Sequence, residues 1–280
     1  MIALNGLTDD WTALELGGRS DYPLDEQAQK GGGDIVGDEF GYQPGFYKQY
    51  ETGAIAGISD DYLGFRVRLG DDTTSHVFIG FDIKGVGVSG AIDFFIDVNF
   101  GNNNSTHDDI AFYNTGGALN TSPSTSGVGF ESNYKTGADG DFSTYSNLSA
   151  VSATNDSYLL AGGSGASTDI DGAGDNDYFI SFQVAMSSLN AAFKSITGAT
   201  TDLTESTEMS FIVITSTNPN SLNQDFGGVG KDFDGDLSWE ELGISSSSYT
   251  ADGKSPVPEP STYALLFGLV ALGAAVVRRR

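Results

Sequence analysis

Apolar side chains recur at every second position in five separate stretches of this chain, and a strand is the regular element whose faces alternate with that period. In YLGFRVRL, Leu63, Phe65, Val67 and Leu69 share one face, with Arg66 and Arg68 on the other. HVFIGFDIK groups Val77, Ile79, Phe81 and Ile83, and AIDFFIDVN sets Ile92, Phe94, Ile96 and Val98 against Asp93, Phe95, Asp97 and Asn99. DYFISFQV alternates through Tyr178, Ile180, Phe182 and Val184, and MSFIVITS through Met209, Phe211, Val213 and Thr215. Each reads as a half-buried strand, apolar toward a core and polar toward water. Shorter candidates are DIAFYN around Ile110 and GVGFESNY around Phe130, and clusters of Gly, Asn, Asp and Ser separate them all.

Helical spacing is scarce in the body. SSLNAAFKSITG places Leu189, Ala192, Phe193 and Ile196 on one helical face, with Ser187 or Ser188 as N-cap and Gly198 as stop. One short helix among many strands argues against alternating βαβ units. The fold expected is all-β, an antiparallel β-sandwich of jelly-roll-like type with long polar loops. The runs Thr115 to Ser126 and Ala161 to Asp177 lie between strands of one alternating pattern and read as loops, not linkers, and no internal repeat is visible. The expected division is one exported domain over residues 1–254 and a distinct tail over residues 255–280.

That tail has a different chemistry. From Ser261 to Val277 no charged residue occurs, and as a helix these 17 residues would reach about 25 Å, close to the hydrocarbon thickness of a bilayer. Arg278, Arg279 and Arg280 follow it, as cations do on the cytoplasmic side, while Tyr263 near the other end suits the interface. A C-terminal transmembrane helix is therefore expected, with the body outside and the arginines inside; a buried core helix would need a polar face, which the run lacks.

Pro258-Glu259-Pro260, the apolar span and the arginine cluster together resemble the PEP-CTERM sorting signal of exported bacterial proteins. The resemblance implies that a membrane protease/transpeptidase of the exosortase type reads the Pro-Glu-Pro motif and removes the tail after export, so that the span is a transient anchor. It covers about a tenth of the chain and concerns destination, not activity. No basic region followed by an apolar run occurs in the first 30 residues, so the start at Met1 is expected to lie inside a longer reading frame carrying a secretory signal. A weaker resemblance, of TSTNPNSLNQDFGGVG followed by SWEELG to a segment of uncharacterised exported proteins with this type of tail, brings no activity with it.

Charge narrows the partners. The chain has 38 acidic and 13 basic residues; the tail holds one glutamate and three arginines of these, which leaves 37 against 10 and a body charge of −27. Nucleic acids and anionic lipid surfaces need a basic face and are disfavoured, whereas cations are favoured. The chain has no cysteine, which excludes disulfides, thiolate metal sites and cysteine nucleophiles, so core packing or bound metal must hold an exported body together.

Two acidic loops are candidate calcium sites. GKDFDGDLSWEEL resembles an EF-hand loop, with Asp232, Asp234, Ser238 and Glu241 at its third, fifth, ninth and twelfth positions, Gly235 at the sixth and Asp236 at the carbonyl-ligating seventh. It departs from that pattern at the first position, Gly230, and in lacking flanking helices. The second loop, DIDGAGDND, holds Asp169, Asp171, Asp175 and Asp177. Asp and Gly also make ordinary solvated turns, and that alternative stands for both loops.

No catalytic constellation stands out, and the chain is expected not to be an enzyme. His76 and His107 are the two histidines, and no serine lies in a nucleophile elbow. A glycosidase would need two carboxylates across a cleft, and sequence cannot pick them from 37. Trp11, Trp239 and the tyrosines could stack on sugars but in a sandwich also serve as core. The function expected is that of an exported surface or extracellular-matrix protein with a structural or adhesive role, its partners being the processing enzyme, an extracellular polysaccharide and, transiently, the membrane. The alternatives are a carbohydrate-binding module and a glycan-active hydrolase or lyase.

Overall fold

The computed structural model describes residues 12–14, 16, 33–36, 45–51, 62–70, 76–88, 91–99, 109–115, 126–127, 129–135, 143–147, 178–217, 221–222, 224–228 and 248–250. Two antiparallel sheets form the body. The first has five strands in the order β1 (Thr12–Leu14), β2 (Gly45–Glu51), β3 (Tyr62–Leu69), β10 (Tyr178–Ala185) and β9 (Ser143–Asn147). The second runs β13 (Asp225–Phe226), β11 (Glu208–Ser216), β4 (His76–Ile83), β5 (Phe94–Asn99), β6 (Asp109–Asn114) and β8 (Gly129–Lys135), with β14 (Tyr249–Thr250) also paired to β11. A two-stranded ribbon joins β7 (Ser126–Gly127) to β12 (Ser221–Leu222). All the stretches read as strands from alternation are strands, and every described pairing is antiparallel.

The sheets meet across one apolar core built from the alternating sets. Leu63, Phe65, Val67 and Leu69 of β3 with Ile180, Phe182 and Val184 of β10 face Val77, Ile79, Phe81, Phe94, Ile96, Phe211 and Val213 of the second sheet. Phe65 is the pivot: its ring lies edge-on to Phe81 at 5.6 Å and to Phe211 at 5.2 Å, bridging the layers, while Phe81 stacks on Phe94 at 4.6 Å. Edge-to-face and offset pairs of this kind add to the stabilisation from burial alone.

The helix α1 (Met186–Thr197) follows β10 directly and packs Met186, Leu189, Ala192 and Phe193 into that core. It starts earlier than its serines suggest. The N-cap is Ala185, in an extended conformation and with no side-chain cap, so neither Ser187 nor Ser188 caps the helix. Continuity with β10 and the burial of Met186 fix the start instead. Gly198 ends the helix as expected, with φ 73° and its N–H donated to the Lys194 carbonyl. Asn190 then ties down the following loop, donating to the Leu203 carbonyl and accepting the Leu203 N–H at 2.6 Å.

The polar faces of the strands differ from expectation, because they are covered. Behind the second sheet, Phe78, Phe95, Ala111, Tyr113, Ile212, Ile214, Leu222 and Phe226 form a second apolar cluster, and Ile92 belongs to it and not to the Phe94 face. Phe95 and Asp97 are accordingly buried. Gly80 is a packing requirement there, since a Cβ would stand 2.6 Å from Ile212 Cγ1 and 2.9 Å from Phe95 Cε1. Behind the first sheet, Arg66 and Arg68 are 2% and 0% exposed, so their face is not solvated either. Alternation gives the parity of the faces but not what lies over them.

One side of the sandwich is laced by buried polar bonds between segments far apart in sequence. Ile35 pairs with Leu69 beside β3, and the Ile35 N–H is donated to Asp225 Oδ2 of β13 at 2.7 Å. Thr215 of β11 donates its hydroxyl to the Gly33 carbonyl. Asp225, the first aspartate of the acidic C-terminal stretch, is thus a structural acceptor at the closure of the two sheets.

Candidate functional site

The residues singled out from sequence lie outside the described residues. This holds for Asp169, Asp171, Asp175 and Asp177, for Asp232, Asp234, Asp236, Ser238 and Glu241, and for the tail with Pro258, Glu259, Pro260, Arg278, Arg279 and Arg280. Among the described residues no cluster of three or more His, Asp or Glu side chains could hold a metal ion, and no helix is long and apolar enough to cross a membrane. The described body offers two arrangements of titratable groups, one at each end of the second sheet.

At one end His76 opens β4, and its Nδ1 lies 2.8 Å and 3.0 Å from the two carboxylate oxygens of Asp97 on β5. The register produces this contact. Phe78 stands opposite Asp97, so His76, two residues earlier on the same face, is its diagonal neighbour. The His76 ring also stacks on Phe78 at 6.2 Å, and both members of the pair are buried. Burial pushes the nearby Tyr113 hydroxyl up to about 12, and the negative charge of Asp97 adds to the rise. Ser216 stands opposite His76 on β11. The row Ser216, His76, Asp97 has the residue types of a hydrolytic triad, yet Ser216 has no accessible surface and a substrate could not reach its hydroxyl. We read the dyad as a structural hydrogen-bonded pair. Alternation in HVFIGFDIK leaves His76 off the face of Val77, Ile79, Phe81 and Ile83, but its pairing with Asp97 depends on the strand register, which the sequence does not display.

At the other end of the sheet the β4–β5 hairpin, the end of α1 and the loop over 201–207 border an open cleft of about 360 Å³ lined by Ile83, Lys84, Phe193, Asp202, Leu203 and Glu208 among others. Lys84 Nζ meets Glu208 Oε2 at 2.8 Å and Lys194 Nζ meets Asp202 Oδ1 at 2.6 Å, both on the surface, where such pairs contribute little. Asp93, at the root of the hairpin, accepts the Ile83 N–H at 2.8 Å. Partial burial pushes its carboxyl up from 3.8 to about 6; the bond from Ile83 opposes the rise and the neighbouring charge of Asp82 assists it. Gly87, at φ 54°, closes the turn so near that a Cβ would lie 2.6 Å from Asp93 Oδ1.

Comparison with known proteins bears on the tail. Residues 256–280 match the PEP-CTERM protein-sorting motif. No curated protein and no solved structure matches the chain. The matched segment is a sorting signal of exported proteins processed at the membrane by an exosortase, and it includes the Pro-Glu-Pro motif, the apolar run and the arginine cluster in that order.

Proposed function

We propose that this chain is a non-enzymatic structural or adhesive protein of the cell surface or extracellular matrix, anchored in transit by its tail and released by cleavage near Pro258, Glu259 and Pro260. The observation that carries this reading is the sorting motif at residues 256–280. On this reading its 17 uncharged residues from Ser261 to Val277 serve as the anchor, being long enough as a helix to reach across most of a bilayer's hydrocarbon layer, and the three arginines mark the cytoplasmic side. A continuous apolar core bridged by Phe65 stabilises the acidic body, which has no cysteine and so needs no disulfide. Its partners on this reading are the processing enzyme and an extracellular polysaccharide, with calcium held by the acidic loops at Asp169 to Asp177 and Asp232 to Glu241.

The test is the intact mass of the protein recovered separately from membranes and from culture fluid. A released form lacking the tail and a membrane form retaining it are the expected pair. An uncleaved, cell-associated chain as the sole product would overturn the reading.

A further inference from the structure

The last described strand says which way the body faces while the tail is anchored. β14 is antiparallel to β11, with Tyr249 opposite Met209 and Thr250 opposite Glu208. Glu208 is the first residue of β11, so the chain at Thr250 is heading out of the sandwich at that end of the sheet. The β4–β5 hairpin lies at the same end, since β4 pairs antiparallel to β11 with Ile83 opposite Met209 and the Lys84 N–H donated to the Glu208 carbonyl. Ten residues, 251–260, separate Thr250 from the apolar run beginning at Ser261. Fully extended they reach at most about 35 Å. The nine residues of β11 are themselves about 27 Å long, so the strap keeps the exit end within its reach of the bilayer while the opposite end can stand about 27 Å further out.

The chemistry of this end fits a membrane surface of one kind. Val88 in the hairpin, 68% exposed, is the one large exposed hydrophobic side chain among the described residues, and the nearby Lys84 side chain is 58% exposed. An apolar tip beside a lysine whose stem is exposed while Glu208 balances its ammonium suits the headgroup region of a bilayer without net charge. Asp82, Asp93, Asp202, Glu205 and Glu208 at the same end outnumber Lys84 and Lys194, so an anionic surface would repel it and a zwitterionic one would not. We propose that, before cleavage, the sandwich stands with its β4–β5 hairpin toward a zwitterionic bilayer surface and with the His76 end of the sheet pointing away. This rests on the reading of the tail as a membrane span.

The absence of cysteine makes the test direct, because Val88→Cys and Thr217→Cys each create a single labelling position, both exposed and at opposite ends of the sheet. The full chain is reconstituted into phosphatidylcholine nanodiscs carrying an acceptor dye on a fraction of the lipid, with a donor dye on the cysteine. The expected result is energy transfer at least twofold more efficient from position 88 than from position 217. Equal transfer, or more from position 217, in chains that co-elute with the nanodisc overturns the orientation alone. Failure to co-elute with the nanodisc overturns the membrane span and the orientation with it.

Discussion

Replacing Asp93 with asparagine should stabilise the body at neutral pH and cease to do so in acid. The carboxyl is half-buried at the root of the β4–β5 hairpin, and its affinity for a proton is raised from 3.8 to about 6. A group whose folded pKa is raised contributes stability that is complete below its unfolded value, about 3.8, and is lost as pH rises through about 6. At neutral pH Asp93 therefore carries a charge that the folded state disfavours. The full shift corresponds to roughly 3 kcal/mol at about 1.4 kcal/mol per pKa unit, and because solvent reaches the group and screens it, about 1 kcal/mol is the part expected to be seen. Asparagine keeps a carbonyl oxygen to accept the Ile83 N–H, which isolates the charge from the hydrogen bond. In a body of this size about 1 kcal/mol moves the melting temperature by roughly 2–4 °C. Asp93→Asn and the parent chain are compared by urea and thermal unfolding in non-ionic detergent at pH 4 and pH 7. The variant should gain about 1 kcal/mol relative to the parent between those pH values. A difference that stays flat, or that favours the parent as pH rises, would refute the argument that burial governs this carboxyl.

Asp97→Ala should cost roughly 1–3 kcal/mol, because it strips the hydrogen-bond partner from a buried His76, and the urea midpoint reads this directly. Gly80→Ala should destabilise by about 1–3 kcal/mol, since the added methyl meets Ile212 and Phe95 in a packed layer; a Gly80→Ala chain as stable as the parent would mean that the outer cluster is loosely packed. Phe65→Ala should cost about 3–5 kcal/mol by emptying the contact between the two sheets, read as a lower unfolding midpoint with a retained β-sheet circular dichroism signal. If the acidic loops hold calcium, millimolar calcium should raise the melting temperature by mass action, and the rise should vanish in a chain with Asp232, Asp234, Asp169 and Asp171 replaced by asparagine.

What sequence disclosed and what it hid follow one physical division. Strands such as β3, β4, β5, β10 and β11 were legible because their signal is local: alternate residues share a face whatever the strand pairs with. The sorting tail was legible for a related reason, since its code is contiguous and needs no fold to be read. Pairing is non-local. Nothing within HVFIGFDIK says that Asp97 will lie diagonal to His76, and nothing near Gly33 says that Asp225, 190 residues beyond Ile35, will accept the Ile35 N–H. Short elements such as β13 and β14 acquire their identity from the long strand they border, since two residues cannot display a period. The burial of Arg66, Arg68 and Asp97 is the sharpest instance: a polar residue in an alternating strand marks the face away from the first core, and whether water or a second layer meets that face is decided by chain elsewhere. Function divides in the same way. The sorting signal is written linearly in 25 residues, whereas any ligand of the body would be held by residues that only the fold brings together, so a search for that ligand has to start from the surface of the folded body and not from further motifs in the chain.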